Sequence, residues 1–228
     1  MQWTVLKDTY AVALAARERI LAAARKAITE RGCFRLVLSG GSTPELTYRL
    51  LAESEADWNQ WHIYFGDERC LPVANEARNS LMAEQALTSL VPIPPGQIHP
   101  MPAELGAESG SAAYEAVIKE ALPFDMVLLG MGEDGHTASL FPGHLHPAGP
   151  LVLPVHNAPK PPPDRISLSR EALAQCRGLL FMITGQGKQD AVKQWRSDTK
   201  KLPVAEIACP DQCEVLIDRP AFGGNTNQ

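Results

Sequence analysis

The densest run of chemically capable side chains is Gly130-Met131-Gly132-Glu133-Asp134-Gly135-His136-Thr137-Ala138. It sets two carboxylates and one imidazole on a glycine-rich turn, where side chains can face a cleft. Imidazole is the side chain best matched to proton transfer near neutral pH. His136 is therefore a candidate general base. Asp134 is placed to fix its tautomer and is expected to raise its pKa by favouring the imidazolium. Three further segments combine glycines with polar groups. Ser39-Gly40-Gly41-Ser42-Thr43 resembles a phosphate cradle: Gly40 and Gly41 let backbone approach an anion, and Ser42 and Thr43 add hydroxyls. It lacks the Gly-Lys-Ser/Thr ending of a Walker motif. Gly185-Gln186-Gly187-Lys188 offers a point cation, Lys188, for a similar anion. Gly66-Asp67-Glu68-Arg69 presents both signs of charge, with Asp67 a candidate partner for sugar hydroxyls or a water and Arg69 for a phosphate. Arg165, which follows a Pro-rich stretch, can reach the same cleft and is a further candidate cation for the phosphate.

These segments need a scaffold that brings them together, and the chain carries one. Residues 9–31 are rich in Ala, Leu and Arg and stop at Gly32, as a helix does. Apolar runs at 34–38, 62–65, 125–129, 165–169, 179–184 and 214–217 read as strands. Helices are expected near Pro44, over 79–90, 109–121 and 171–176, and from Lys188 to Trp195. Alternating strands and helices predict an α/β fold with a mostly parallel sheet. In such sheets ligands lie beyond the carboxyl ends of strands, and each polar segment above follows a strand directly. The stretch from Val155 to Asp164 contains Pro159, Pro161, Pro162 and Pro163 and reads as a border of the site rather than a linker.

The bulk properties exclude several classes. A chain of 228 residues with 45% hydrophobic residues suits a single domain over 1–228. The formal net charge of -5 argues against nucleic acid or an anionic membrane as partner. No membrane span and no signal peptide is legible. Five scattered cysteines, with only Cys209 and Cys213 close together, suggest thiols in a reducing, cytoplasmic compartment. No metal-ligand set is complete, and His144 and His146 read as a polar loop, so neither metal nor organic cofactor is expected.

In order and spacing, Ser39-Gly40-Gly41-Ser42-Thr43-Pro44, Gly66-Asp67-Glu68-Arg69 and Gly130 through Pro142 resemble the 6-phosphogluconolactonase family. Arg165-Ile166-Ser167-Leu168-Ser169 and Gly185-Gln186-Gly187-Lys188 are similar to it as well. The likeness runs from the first helix to the last strand. It implies a modified Rossmann-like, three-layer α/β/α sandwich. It also implies hydrolysis of 6-phospho-D-glucono-1,5-lactone, the second step of the oxidative pentose phosphate pathway, with His136 activating water. The implied partner is a small sugar-phosphate lactone, bound by a monomer or weak homodimer. The wider superfamily includes glucosamine-6-phosphate deaminase/isomerase, whose members carry a carboxylate just before the Pro of this turn. Here that position is Phe141, which argues against deamination. A sugar-phosphate-binding module without catalysis is the second rival, and His136 weighs against it. One departure from the lactonase pattern is Ala77-Arg78 before Asn79, where Asp-Ser is common.

Overall fold

The computed structural model describes residues 1–197, 202–207 and 213–223. Among the described residues, nine strands run β1 (Gln2–Leu6), β2 (Phe34–Leu38), β3 (Trp61–Phe65), β4 (Asp67–Arg69), β5 (Met126–Leu129), β6 (Val152–Val155), β7 (Arg165–Leu168), β8 (Leu179–Ile183) and β9 (Cys213–Asp218). The helices are α1 (Thr9–Arg31), α2 (Ser42–Ala52), α3 (Asn79–Ala83), α4 (Ala107–Ala121), α5 (Arg170–Ala174), α6 (Gln189–Arg196), α7 (Pro203–Ile207) and α8 (Arg219–Phe222).

The main sheet has six parallel strands in the order β1-β9-β8-β5-β2-β3, flanked by helices on both sides. The result is the α/β fold with a mostly parallel sheet expected from alternation, in the sandwich form that the resemblance implies. Its central strands are apolar without alternation because both faces are covered; every residue of β8 is buried. Helix α1 starts where Asp8 accepts from Ala11 N at 2.9 Å and ends where Gly32 takes a φ of 78° and donates to Ile28 O at 2.8 Å. Its buried stripe, with Val12, Ala16, Ile20, Ala24 and Ala27, lies on one face at helical spacing.

From β2 the chain passes through α2 to β3 on one side, then returns to place β5 on the other side of β2. The crevice between the carboxyl ends of β2 and β5 is thus a topological switch point, where open parallel sheets bind ligands.

Two expectations differ from the structure. Residues 67–69, read as a polar segment after a strand, are themselves a strand, and the strand read at 165–169 does not join the parallel sheet. They form a second, antiparallel sheet, β4-β7-β6, with Asp67 opposite Ser167 and Val152 opposite Leu168. Segments this far apart in sequence pair through tertiary contact, which local patterning does not carry. The helix expected over 79–90 begins as α3 but continues over Glu84–Thr88 with π geometry. Cys209 lies outside the described residues. Among the described residues, no helix is long and apolar enough to cross a membrane.

Candidate active site

A cavity of about 370 Å³ opens at the switch point. Its wall contains Gly40, Gly41, Ser42, Thr43, Asp67, Arg69, His136, Arg165 and Lys188, brought in from five separate segments. Asp134 stands behind His136 rather than in the wall. His144 and His146 lie outside the cavity wall and pair with each other, their rings 6.5 Å apart.

The β2 loop is fixed from below. The buried Tyr48 of α2 donates to Ser39 O at 2.8 Å and accepts from Ser39 N at 2.9 Å. Thr43 Oγ1 meets Thr184 Oγ1 at 2.7 Å, tying this loop to the end of β8. Gly41 has a φ of 112°, in the region that favours glycine. Gly40 is required for another reason. A Cβ there would fall 2.0 Å from Asn79 Oδ1.

The β5 turn is closed by its own backbone. Gly132 N donates to His136 O at 2.8 Å, Gly135 N to Gly132 O at 3.1 Å, and Thr137 Oγ1 to Gly130 O at 2.7 Å. His136 Nδ1 lies 2.5 Å from Asp134 Oδ1, which leaves Nε2 as the ring nitrogen available to the cavity. The imidazole also rests against the buried Phe141 ring, centroids 4.7 Å apart.

The electrostatic outcome reverses one sequence expectation. Burial is the largest influence on His136 and pushes its pKa below the ordinary histidine value. Asp134 and Asp67 oppose this, while Lys160 adds to it. Removing solvent from an imidazolium outweighs the carboxylates, so the ring is held neutral. Burial alone would raise the Asp134 carboxyl, but the charge and hydrogen bonds of His136 keep it below its usual value.

Asp67 is buried and immobilised on both oxygens. Oδ1 accepts from Asn79 Nδ2 at 3.1 Å, and Oδ2 from Ser139 Oγ at 2.6 Å. Asn79 also uses Oδ1 to accept from Arg69 Nη1 at 2.7 Å, while Ala77 O takes the same group at 2.6 Å. Arg69 Nε is buried in the wall without a hydrogen-bond partner among the described residues. Arg165 lies in the wall, and its guanidinium also holds the Pro-rich loop: Nη2 donates to Lys160 O at 2.9 Å and Nε to Pro162 O at 3.2 Å. Burial pulls the Lys188 ammonium below its usual pKa, with Glu133 opposing and Lys160 reinforcing the shift.

Sequence reasoning missed Asn79, Ser139, Thr184 and Lys160. Asn79 and Ser139 stand close to segments that were recognised, but their contacts span 12 and 72 residues of chain. Only Lys160 had a local signal, a lone cation among the prolines of a loop already read as a border of the site.

The departure at Arg78 has a structural account. Arg78 is 2% exposed and its Nε faces Glu68 Oε2 at 3.3 Å, while Nη1 reaches Glu104 Oε2 at 2.9 Å and Nη2 donates to Met101 O at 2.7 Å. Glu68, fully buried, in turn accepts from the backbone N of Arg69, Asn79 and Ser80 at 2.8–2.9 Å. The pair thus frames the strand bearing Asp67 and Arg69. Replacing Arg78 with Met leaves a buried carboxylate without its counter-ion and should cost about 3–5 kcal/mol. Urea unfolding checks this. A lower midpoint at unchanged slope is expected, and a loss under about 1 kcal/mol would mean that the backbone donors suffice.

Among the described residues, no group of three or more His, Cys, Asp or Glu side chains is arranged to hold a metal.

The family model for glucosamine-6-phosphate isomerases/6-phosphogluconolactonase matches residues 7–217. The chain is 34% identical over 213 residues to 6-phosphogluconolactonase 3, chloroplastic, of Arabidopsis thaliana, a match covering 84% of this chain and 65% of that protein's length. It is 34% identical over 235 residues to the 6-phosphogluconolactonase of Mycobacterium tuberculosis, covering 95% of each. The crystal structure of 6-phosphogluconolactonase from Thermotoga maritima superposes with a TM-score of 0.88 at 30% identity, over 95% of this chain and 99% of that one.

Proposed function

We propose that this chain, which belongs to the glucosamine-6-phosphate isomerase/6-phosphogluconolactonase family, hydrolyses 6-phospho-D-glucono-1,5-lactone to 6-phosphogluconate with His136 as general base. The observation that carries the reading is the His136–Asp134 contact of 2.5 Å on a turn that opens into the cavity. Asp134 holds Nδ1, so Nε2 meets a water. Burial keeps the ring neutral and able to accept a proton.

The substrate's phosphate sits against the Gly40–Thr43 loop and Lys188. Anchoring this remote group orients the lactone carbonyl for attack and removes much of the entropic barrier. Water adds to C1 as His136 Nε2 takes its proton. The C1–ring oxygen bond then breaks, and the imidazolium returns the proton to the departing ring oxygen. The product carboxylic acid ionises at neutral pH. Asp67, fixed by Asn79 and Ser139, orients the water or a sugar hydroxyl, and Arg69 supplies positive charge beside it.

Phe141 supports the lactonase over the deaminase reading. It fills the position of the deaminase carboxylate with a buried ring packed on His136. The assembly proposed with this reading is a monomer or weak homodimer. A continuous apolar core running from α1 to α8 supports one domain over 1–228. The scattered cysteines support a reducing, cytoplasmic location.

The deciding experiment is a lactonase assay on freshly generated 6-phosphogluconolactone, corrected for spontaneous hydrolysis. Turnover no faster than the uncatalysed rate, with ammonia or ketose released from an amino or aldose sugar phosphate, would replace this reading. Activity is also expected to survive exhaustive chelation, since no described side-chain cluster suits a metal. Loss of activity in EDTA, restored by a divalent cation, is the contrary result.

A further inference from the structure

We infer that Lys160, carried on the Pro-rich loop, is a second cation for the substrate's phosphate, facing Lys188 across the cavity, and that Arg165 acts by holding this loop in place. The inference rests on the lactonase reading only for the identity of the anion.

The loop between β6 and β7 is built to hold a fixed shape. Pro159, Pro161, Pro162 and Pro163 restrict its backbone. Ala158 N donates to Pro163 O at 2.9 Å, closing it internally. At its base, His156 Nδ1 meets Asp164 Oδ1 at 2.8 Å and Nε2 meets Glu108 Oε1 of α4 at 3.1 Å. Cys70 N donates to Asp164 O at 3.0 Å. Arg165 then takes three successive carbonyls of the loop: Nη2 reaches Lys160 O at 2.9 Å and Pro161 O at 3.3 Å, and Nε reaches Pro162 O at 3.2 Å. A guanidinium committed to three backbone oxygens has few donors left for a ligand, but it fixes where the Lys160 side chain departs.

That side chain joins the same cavity wall as Gly40–Thr43 and Lys188. Among the described residues Lys160 makes no ion pair, whereas nine other Lys and Arg side chains on this acidic protein do.

 The Lys160 charge acts on both Lys188 and His136, pushing each toward its neutral form. Two ammonium groups on opposite loops repel each other until an anion lies between them. A phosphate dianion beside the backbone of Gly40–Thr43 meets that need, since each lysine contributes a point charge without demanding a fixed bidentate geometry.

The test compares Lys160→Met and Lys160→Arg with the wild type on two substrates, 6-phosphogluconolactone and unphosphorylated gluconolactone. Affinity for 6-phosphogluconate and for inorganic phosphate is measured by calorimetry on the same preparations. Lys160→Met is expected to raise KM for the phosphorylated lactone about tenfold or more, with a much smaller change in kcat. The unphosphorylated lactone should be nearly unaffected, and Lys160→Arg should recover most of the loss. The acid limb of the Lys160→Met rate profile should move to higher pH, because a positive charge acting on His136 has been removed while Asp134 and Asp67 remain. Unchanged KM, or equal losses on both lactones, overturns the assignment. For Arg165, the readout is coupling. In an Arg165→Met background, adding Lys160→Met should have little further effect, whereas independent, additive losses would mean that Arg165 touches the phosphate itself. The two readings fail separately. Binding of 6-phosphogluconate that depends on Lys160, without lactonase turnover, removes the proposed reaction and keeps the cation. Turnover with binding indifferent to Lys160 does the reverse.

Discussion

His136→Asn is expected to lower kcat by about 100- to 10,000-fold, the usual contribution of general acid–base catalysis, while affinity for 6-phosphogluconate persists. Asparagine keeps similar size and some hydrogen bonding but has no basicity near neutral pH. The fold should tolerate the change, because the turn is closed by backbone bonds from Gly132 and Gly135 and by Thr137 Oγ1, none of which needs the imidazole. The wild-type pH profile follows from the same site. Only neutral imidazole accepts a proton, and burial holds the His136 pKa below its ordinary value of 6.5. The rate should therefore rise with pH along one ionisation with its midpoint below that value, and be level by neutral pH. A midpoint above it would mean that Asp134 outweighs burial. The measurement is kcat, product affinity and Tm on one His136→Asn preparation. If kcat stays within about threefold of wild type, a barrier change under 1 kcal/mol, the base lies elsewhere and Asp67 becomes the leading candidate. Parallel losses in Tm and affinity without a selective fall in kcat would assign His136 to propping up the turn.

Gly132→Ala should be nearly as damaging, although it removes no functional group. A Cβ at this position would lie 2.1 Å from His136 Nδ1, 2.2 Å from Cε1 and 2.6 Å from Asp134 Oδ1. None of these separations is sterically allowed, so the imidazole must leave its contact with Asp134. Gly132 is not among the residues with positive φ, so alanine adds no backbone strain there and the effect is confined to the catalytic pair. A displacement of about 1 Å in a reacting group can cost about 100-fold. We expect kcat to fall by that order, with product affinity retained because the Gly40–Thr43 loop and both lysines lie on other segments. Near-normal kcat would show that the His136–Asp134 geometry is not needed for turnover. The control is Gly96→Ala, in open space away from the cavity, which should leave kcat unchanged.

Much of the scaffold was legible because its signals are local. The first helix was read over 9–31 and is α1 (Thr9–Arg31), since an N-cap, a periodic apolar stripe and a terminal glycine all lie within the segment itself. The strand at 34–38 and the polar turns after β2, β5 and β8 were readable for the same reason: an apolar run ending in glycines describes its own conformation. The strands β1 and β6 were missed. Each is short; β1 depends on a partner far along the chain, Glu214–Asp218, while β6 contains Pro154 and pairs across the Pro-rich loop with Arg165–Leu168.

Residue types and their order determined which groups could do chemistry here: a glycine-rich anion loop, an Asp-Gly-His turn, and cations after two other strands. Only the tertiary structure decided what each group has left to offer. Arg165 reads as a free cation in sequence, yet the fold commits it to Lys160 O, Pro161 O and Pro162 O. Lys160 reads as part of a loop, yet the fold sets it in the same cavity wall as Lys188. Asp134 beside His136 suggests a raised pKa, yet burial reverses the sign. The physical reason is common to all three. Hydrogen-bond partners and desolvation are sums over neighbours in space, and those neighbours come from segments whose proximity is a property of the folded chain.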